Sequence, residues 1–458
     1  MHAEISKDSS FARSETRHAT TSVDSATDFT GTVKFDTLQP DTVYQYRVWF
    51  ARNPGRGDPA DAAAVATTGT FRTAPSAATS RAVSFIWGGD VGGQSYCRRV
   101  DQGYAIFGKM QALAPDFFIA NGDMIYADGA CPADGPDGPG GWQNIPGDFP
   151  SIADPSVDWT NPAQVRDVYL KHWRYNRADP HHQQFLQSTS MYAQWDDHEV
   201  INDFGAQWTY WNSANIDRAG FPNLVAAGRR AFFEFNPIAR NQAEPGRIYR
   251  SFSWGKDMDL FILDARSYRS RNDVADTPEN NKTLLGAAQL EWLKEGLKRS
   301  TATWKVVSSD VPMSVPTGSL AFGRDAFANG EPTNPTGFER ELRDLLLSLD
   351  RNNVKNVVFV TTDVHFATTI RYQTDVDADG DMLVLHELVS GPINAVRGTP
   401  GALDPTFNPT ALYAEGNLFN FGYAHLARGS DGRMHLLADI RGEDGQPRPG
   451  SAIDLTPE

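Results

Sequence analysis

Apolar and polar residues follow two different rhythms along this chain, and the change falls near residue 76. Before it, "FTGTVKFDTLQPDTVYQYRVWFA" alternates with a period of two around the turn signal "LQPDT", and "TTGTFRTAP" adds a further short run before a proline. That period belongs to strands whose side chains point alternately to two faces. After it the apolar residues gather into short continuous runs: "AVSFIWGGD", "PDFFIANGD", "MYAQWDD", "MDLFILDAR", "WKVVSSD" and "NVVFVTTDVH". Runs of this kind suit strands covered on both faces. Between them the spacing becomes three and four, as at Ile106, Phe107, Met110 and Leu113, then Leu290, Leu293 and Leu297, then Leu342, Leu345, Leu346 and Leu349. Such spacing places apolar side chains on one helical face. Strands interleaved with these helices predict a layered α/β domain.

Residues 1–76 are expected to form a small all-β module and residues 77–458 the catalytic domain, with "SAATSR" as linker. A leucine-proline turn before a Tyr-x-Tyr strand resembles the later strands of a fibronectin type III sandwich. A complete sandwich takes about 100 residues, so this one is expected to be incomplete. Ala130 to Asn161, rich in Pro, Gly and Asp, reads as a long surface loop,.

Composition narrows the partners. With 458 residues, 40% hydrophobic, the chain can bury a large core,. A net charge of -15 argues against duplex nucleic acid and against an anionic membrane surface as partners,. No apolar run is long enough to span a bilayer, and the first residues lack the layout of a secretion signal. The expectation is a soluble chain without a transmembrane anchor, cytosolic or already processed. Cys97 and Cys131 each follow an apolar run by a few residues. They could meet and bridge, which would suit an oxidising compartment, or be two unrelated thiols; bridging needs a Cα separation under about 7 Å.

The candidate chemistry lies where the runs stop. All six end in an acid: Asp90, Asp123, Asp196 with Asp197, Asp264, Asp310 and Asp363. In α/β sheets ligands bind beyond the carboxyl ends of the strands, so these acids can share one rim. A single strand-terminal Asp is commonly a turn or cap residue. Six together would repel one another without cations, which points to a polynuclear metal site.

The ordered set "DVG" at Asp90, "GDMIY" at Gly122 to Tyr126, "WDDHE" at Trp195 to Glu199, "VSSD" at Val307 to Asp310 and "DVH" at Asp363 to His365 resembles the metallophosphoesterases. In particular it resembles the alkaline phosphatase D (PhoD-like) family, whose active site is related to that of purple acid phosphatases. The resemblance implies a layered β-sandwich catalytic domain of αββα type and a phosphoric ester hydrolase. It implies Asp123 as a carboxylate bridging two metals, with Asp90, Tyr126 and His365 completing the first. A phenolate with carboxylates favours ferric iron. At the second metal this chain offers Asp197, Asp310 and Asp363, with Asn202 nearby. Carboxylates in place of imidazoles shift preference from zinc toward calcium, magnesium or manganese, so the implied pair is Fe3+ and Ca2+. Many family members have a cysteine ligand after the first strand; here Asp90 terminates the run, and Cys97 is left free to pair with Cys131.

The expected mechanism is in-line attack on phosphorus by a hydroxide held between the metals. His198 would orient the phosphoryl oxygens or protonate the leaving group, and "DDHEV" also reads as a helix start with Asp196 as cap and Glu199 at the dipole. Arg266, with Arg174 and Arg177 behind it, is a candidate for phosphate contact. The substrates implied are small phosphate esters, monoester or diester, with a phospholipid or nucleotide diester as the narrower alternatives. A phospholipase D-like phosphodiesterase is one competing reading, and a non-catalytic calcium-binding recognition protein is another. A periplasmic or secreted location follows from the resemblance. "DVDADGD", Asp375 to Asp381, matches the opening of a calcium loop but is expected to be a polar hairpin turn,.

Overall fold

The computed structural model describes residues 1–51, 66–205, 221–319, 323–328, 330 and 337–458. The period-two region gives β1 (His2–Ser6), β2 (Arg17–Thr20), β3 (Val43–Trp49) and β4 (Thr67–Arg72), paired antiparallel in the order β2-β1-β3-β4. Among the described residues these strands make one sheet, where the sequence led us to expect part of a two-layered sandwich.

All six continuous runs become strands. The first three give β5 (Ser84–Gly88), β6 (Phe117–Ala120) and β7 (Ser190–Ala193). The chain continues through β8 (Arg250–Trp254), β9 (Met258–Ile262), β10 (Trp304–Ser308), the short β11 (Gly318–Ser319) and β12 (Gly323–Arg324), and β13 (Val357–Thr361). It ends with β14 (Ala367–Thr374), β15 (Leu383–Val389), β16 (Pro409–Glu415), β17 (Asn420–Arg428), β18 (Met434–Gly442) and β19 (Ile453–Leu455). One sheet runs β19-β18-β17-β5-β6-β7 and the other β16-β14-β15-β13-β10-β9-β8. Within them, β5, β6 and β7 are parallel, as are β9, β10 and β13. The "DVDADGD" stretch is the turn of the β14–β15 hairpin, as expected, with Thr374 opposite Leu383.

The two sheets face each other across a core that takes every second residue of the runs: Phe85, Trp87, Phe117 and Ile119 from one, Met258, Leu260, Ile262, Val306, Val358 and Val360 from the other. The intervening residues point outward to helices. Ile86 and Phe118 pack with α1 (Ile106–Ala112), α2 (Pro162–Arg177), α3 (Pro180–Ser188) and α4 (Phe221–Phe235). Phe261, Val307 and Phe359 pack with α5 (Ala287–Arg299) and α6 (Glu339–Arg351). The result is four layers, helix, sheet, sheet, helix. Continuous apolar runs are what this arrangement demands, because both faces of each strand are dry.

Two of the helices start on the same device. Asn161 and Asp179 accept from the backbone nitrogens two and three residues on, with Pro162 and Pro180 at the first helical position,. The N-terminal sheet docks on α3: the Tyr46 hydroxyl donates to the Gln187 carbonyl at 3.2 Å. A Cβ on Gly69 would lie 2.1 Å from that same carbonyl oxygen, so this approach requires glycine,.

Candidate metal centre

The strand ends of both sheets meet at one rim, where Asn121 Nδ2 donates to Ser308 Oγ at 2.9 Å across the interface. The backbone there enters the left-handed region: φ is 61° at Asp90, 105° at Gly122, 51° at Asp123, 74° at Asp363 and 60° at His365. Non-glycine residues hold that conformation at a cost of about 1–3 kcal/mol each, and such residues cluster at functional sites. A Cβ on Gly122 would lie 2.4 Å from Asp196 Cβ, so the glycine is what lets β6 turn beside the end of β7.

These turns bring acids and imidazoles together. Asp90, Asp123 and His365 place one ligand atom each within 4.8 Å of one another, and Asp123, Asp197 and His198 form a second such group. Asp123 belongs to both, as its expected bridging role requires. Asp196, Asp197 and Asp363 make a third group; in a fourth, Asp197, Asp203 and Asp325, the Asp325 carboxylate is already taken by Arg266 and Arg269, so it is not free for a cation. The Tyr126 hydroxyl lies 3.1 Å from His365 Nε2, in the first group. His365 Nδ1 donates to the Val396 carbonyl at 2.5 Å, which leaves Nε2 with its lone pair,. Burial holds that imidazole down at about 4, so it is neutral,.

The donor set fits cations. Both carboxylate oxygens of Asp90, Oδ1 of Asp197 and Oδ2 of Asp363 are buried without a hydrogen-bond partner, a state that costs free energy unless a charge or donor meets them. Burial pushes Asp90 up to about 8, with Asp197 and Glu199 reinforcing and His198 opposing. Burial together with neighbouring acids raises Asp123 and Asp363 well above the carboxylate range. Four oxygen-rich residues with one neutral imidazole suit hard cations better than a structural zinc.

Several residues in and around the centre escaped the sequence reading. Glu199 accepts from the backbone nitrogens of Asp123 (3.0 Å), Met124 (2.8 Å) and Asp196 (2.8 Å), clamping the ends of β6 and β7 together. The expected helix start at "DDHEV" is instead a turn around this clamp. Asp128 sits 2.7 Å from His198 Nδ1 and accepts from the Asn202 nitrogen at 3.0 Å. His198 also donates its backbone N–H to Asp123 at 3.0 Å, and its ring lies tilted against that of Tyr126 with centroids 4.1 Å apart. Asp203 and Asp325 carried no strand-end signal.

The centre opens into a cavity of about 360 Å3 floored by Asp123, Asp197, His198, Asn202, Asp363 and His365 and walled by Val315 to Gly318. Two candidates are not brought to it. Asp310 is fully buried and accepts from Gln194 Nε2 and the Ala265 nitrogen, joining none of the metal-ligand groups. Arg266 is equally buried, held by Asp196 and Asp325 instead of facing the cavity. Asp264 caps the turn after β9, accepting from the nitrogens of Arg266 and Ser267. Arg174 and Arg177 pair with Asp28 and Asn236. Cys97 and Cys131 form a disulfide with Cα atoms 5.9 Å apart, so Cys97 is no ligand and the loops following Asp90 and Tyr126 are joined.

A family model for PhoD-like phosphatases matches residues 85–429, which span the whole rim. The chain belongs to the PhoD-like phosphatase family. Among characterised relatives, it is 24% identical to alkaline phosphatase D of Bacillus subtilis (strain 168) over 379 residues, covering 79% of this chain and 58% of that protein's length. A solved structure of PhoD superposes with a TM-score of 0.71 at 20% identity, covering 99% of this chain and 81% of that one. The purple acid phosphatase PPD1 from yellow lupin (Lupinus luteus) seeds superposes with a TM-score of 0.53 at 13% identity, covering 92% and 60%. These likenesses establish the fold.

Proposed function

We propose that this chain is a metal-dependent hydrolase of phosphate esters, of the alkaline phosphatase and phosphodiesterase type. The observation that carries the reading is Asp123 standing in two ligand groups at once, beside unpartnered buried carboxylate oxygens. Asp90, Asp123, Tyr126 and His365 would hold Fe3+, and Asp123, Asp197 and Asp363 with Asn202 would hold Ca2+ or, in its place, Mn2+, Mg2+ or Zn2+. A phenol and a neutral imidazole have no use in a site built only to bind calcium, which disfavours a non-catalytic recognition protein. Asp310 and Arg266 fall outside this assignment because their charges are met elsewhere.

When bound, two cations there supply an activated water and polarise the phosphoryl oxygens. The chain's own contribution is proton placement and orientation. Burial works against a charge on His198, but Asp128 and Asp197 outweigh it and push this imidazole up to about 10. It is therefore an imidazolium at neutral pH. With Nδ1 held by Asp128, Nε2 is the nitrogen that can donate to a phosphoryl oxygen or protonate the leaving oxygen,. The open cavity admits a small phosphate ester, monoester or diester, and the range extends to a phospholipid or nucleotide diester.

Residues 77–458 act as the catalytic unit, with the N-terminal sheet, β1 to β4, docked at its side through α3. A periplasmic or secreted location is supported by the disulfide,, and no helix among the described residues is long and apolar enough to cross a membrane. The test is metal analysis and a visible spectrum of the purified protein, together with release of p-nitrophenol from mono- and diester substrates. A broad visible band and hydrolysis abolished by chelation are expected. A colourless zinc protein would end the iron assignment, and a metal-loaded protein inert toward both substrates would end the hydrolase reading.

A further inference from the structure

Beneath the cavity a single guanidinium gathers five carboxylates. Arg266 Nε lies 2.6 Å from Asp196, and Nη2 lies 2.7 Å from Asp325, 3.7 Å from Asp363 and 3.8 Å from Asp197. Asp310 stands 3.8 Å away on the other side. Asp197 and Asp363 belong to the cavity floor, whereas Asp325 is buried behind the wall, outside the cavity lining. The Asp325 nitrogen donates to the Thr317 carbonyl at 3.1 Å, and the β11–β12 hairpin sets Gly318 opposite Arg324. The Asp325 carboxylate also takes Arg269 Nη1 at 2.6 Å and Asn272 Nδ2 at 2.7 Å. Gly323, at φ 92°, presses so close to Asn272 that a Cβ would lie 2.1 Å from its carbonyl oxygen. The segment behind the wall is thus seated on Arg269 and Asn272, and through Asp325 it joins Thr317 of the wall to the cation under the floor.

We propose that Arg266 and Asp325 are positioning residues that lock the wall, Val315 to Gly318, to the acidic floor, so that this ion pair sets how large an ester group the cavity admits. The inference rests on the hydrolase reading above. Arginine's planar fork can bind the floor acids and Asp325 in one fixed geometry, which a lysine point charge cannot. Inorganic phosphate meets only the floor, whereas a bulky ester group must also fit the wall. Loosening the pair therefore affects large esters and spares phosphate.

The metal-loaded enzyme is compared as wild type and Asp325→Asn, with bis(p-nitrophenyl) phosphate as substrate and inorganic phosphate as competitive inhibitor. The diester's KM should rise about tenfold while the inhibition constant of phosphate and the metal content stay at wild-type values. Asn272→Ala, which keeps the Asp325 charge paired, should move KM in the same direction by less, and it serves if Asp325→Asn does not fold. Arg266→Lys should fall between. The proposal is overturned if these variants leave the diester's KM within about twofold of wild type, or weaken phosphate and diester equally, as a collapsed floor would. If the wild type hydrolyses no ester, the hydrolase reading falls. The coupling is then read from binding of diphenyl phosphate against inorganic phosphate in the same variants.

Discussion

Two neighbouring sets of strand-end acids solve the same electrostatic problem in opposite ways. On the floor, both oxygens of Asp90 and one each of Asp197 and Asp363 lack a hydrogen-bond partner, as do Asp196 Oδ2 and Asp325 Oδ2, but only the last two have a guanidinium against their carboxylates, at 2.6 and 2.7 Å. Under the wall, Asp196 and Asp325 are met by Arg266, with Arg269 adding a second guanidinium to Asp325. Burial and neighbouring acids raise Asp90 and Asp363 on the floor, and burial raises Asp196 as well despite Arg266, whereas Asp325, though burial opposes it, is drawn down to about 2 by Arg266 and Arg269. The difference is one of distance: Arg266 lies 2.6 Å from Asp196 and 2.7 Å from Asp325 but 3.7 Å from Asp363 and 3.8 Å from Asp197, so two of the floor acids border the internal cation without closing on it.

Removing the shared ligand of the floor breaks the comparison most severely. Asp123→Ala deletes the carboxylate that, among the described residues, is common to the Asp90–His365 and Asp197–His198 groups. Metal content should fall at both positions, and turnover should drop by about 1,000-fold or more. Retained metals with retained turnover would show that the floor acids are not ligands. On the wall side, Arg266→Met leaves Asp196 and Asp325 buried with their principal cation gone. Breaking a buried pair in this way costs about 3–5 kcal/mol, read as a lower denaturation midpoint in both metal-loaded and metal-free protein. A variant as stable as wild type would mean that the internal cation carries no structural charge balance.

The sequence made the layers legible and left the division between the two sets hidden. Phe85 and Ile86, or Val306 and Val307, are equally apolar because opposite faces of one strand are both dry, so the runs could be read as strands without knowing which helix covers them. Asp90, Asp123 and Asp363 stood out because each directly ends such a run. Asp310 stood out for the same reason, yet the neighbouring turn satisfies it through Gln194 and Ala265. Chain position cannot distinguish these outcomes, since the deciding partner comes from another strand. The clamping role of Glu199 and the pairing of Asp325 were hidden for the converse reason: Glu199 reaches the turn after β6 and Asp325 the turn after β9, contacts of long sequence separation. The N-terminal rhythm foretold strands correctly, but period two does not say whether a second sheet faces the first.

A further contrast, between the floor and Asp325, lies in the sign of a pH dependence; Asp196, raised by burial despite Arg266, follows the floor. In metal-free protein, burial keeps Asp90 protonated up to about 8 and Glu199 up to about 7, whereas the unfolded chain releases these protons near the usual 3.8 and 4.5. Between about pH 4 and 8 the folded state thus binds more protons, and its stability falls as pH rises, by at most about 1.4 kcal/mol per pH unit for each group. Asp325 acts oppositely: its contribution is complete above about pH 4 and is lost as pH falls toward about 2,. Denaturation at pH 5 and pH 8, with and without chelator, reads the difference. Metal-free protein should be more stable at pH 5, and the loaded protein should lose that slope because cations replace the protons on the floor. Equal stability of the metal-free protein at both pH values would mean that the floor carboxylates are already neutralised from within, which would erase the contrast with Asp325.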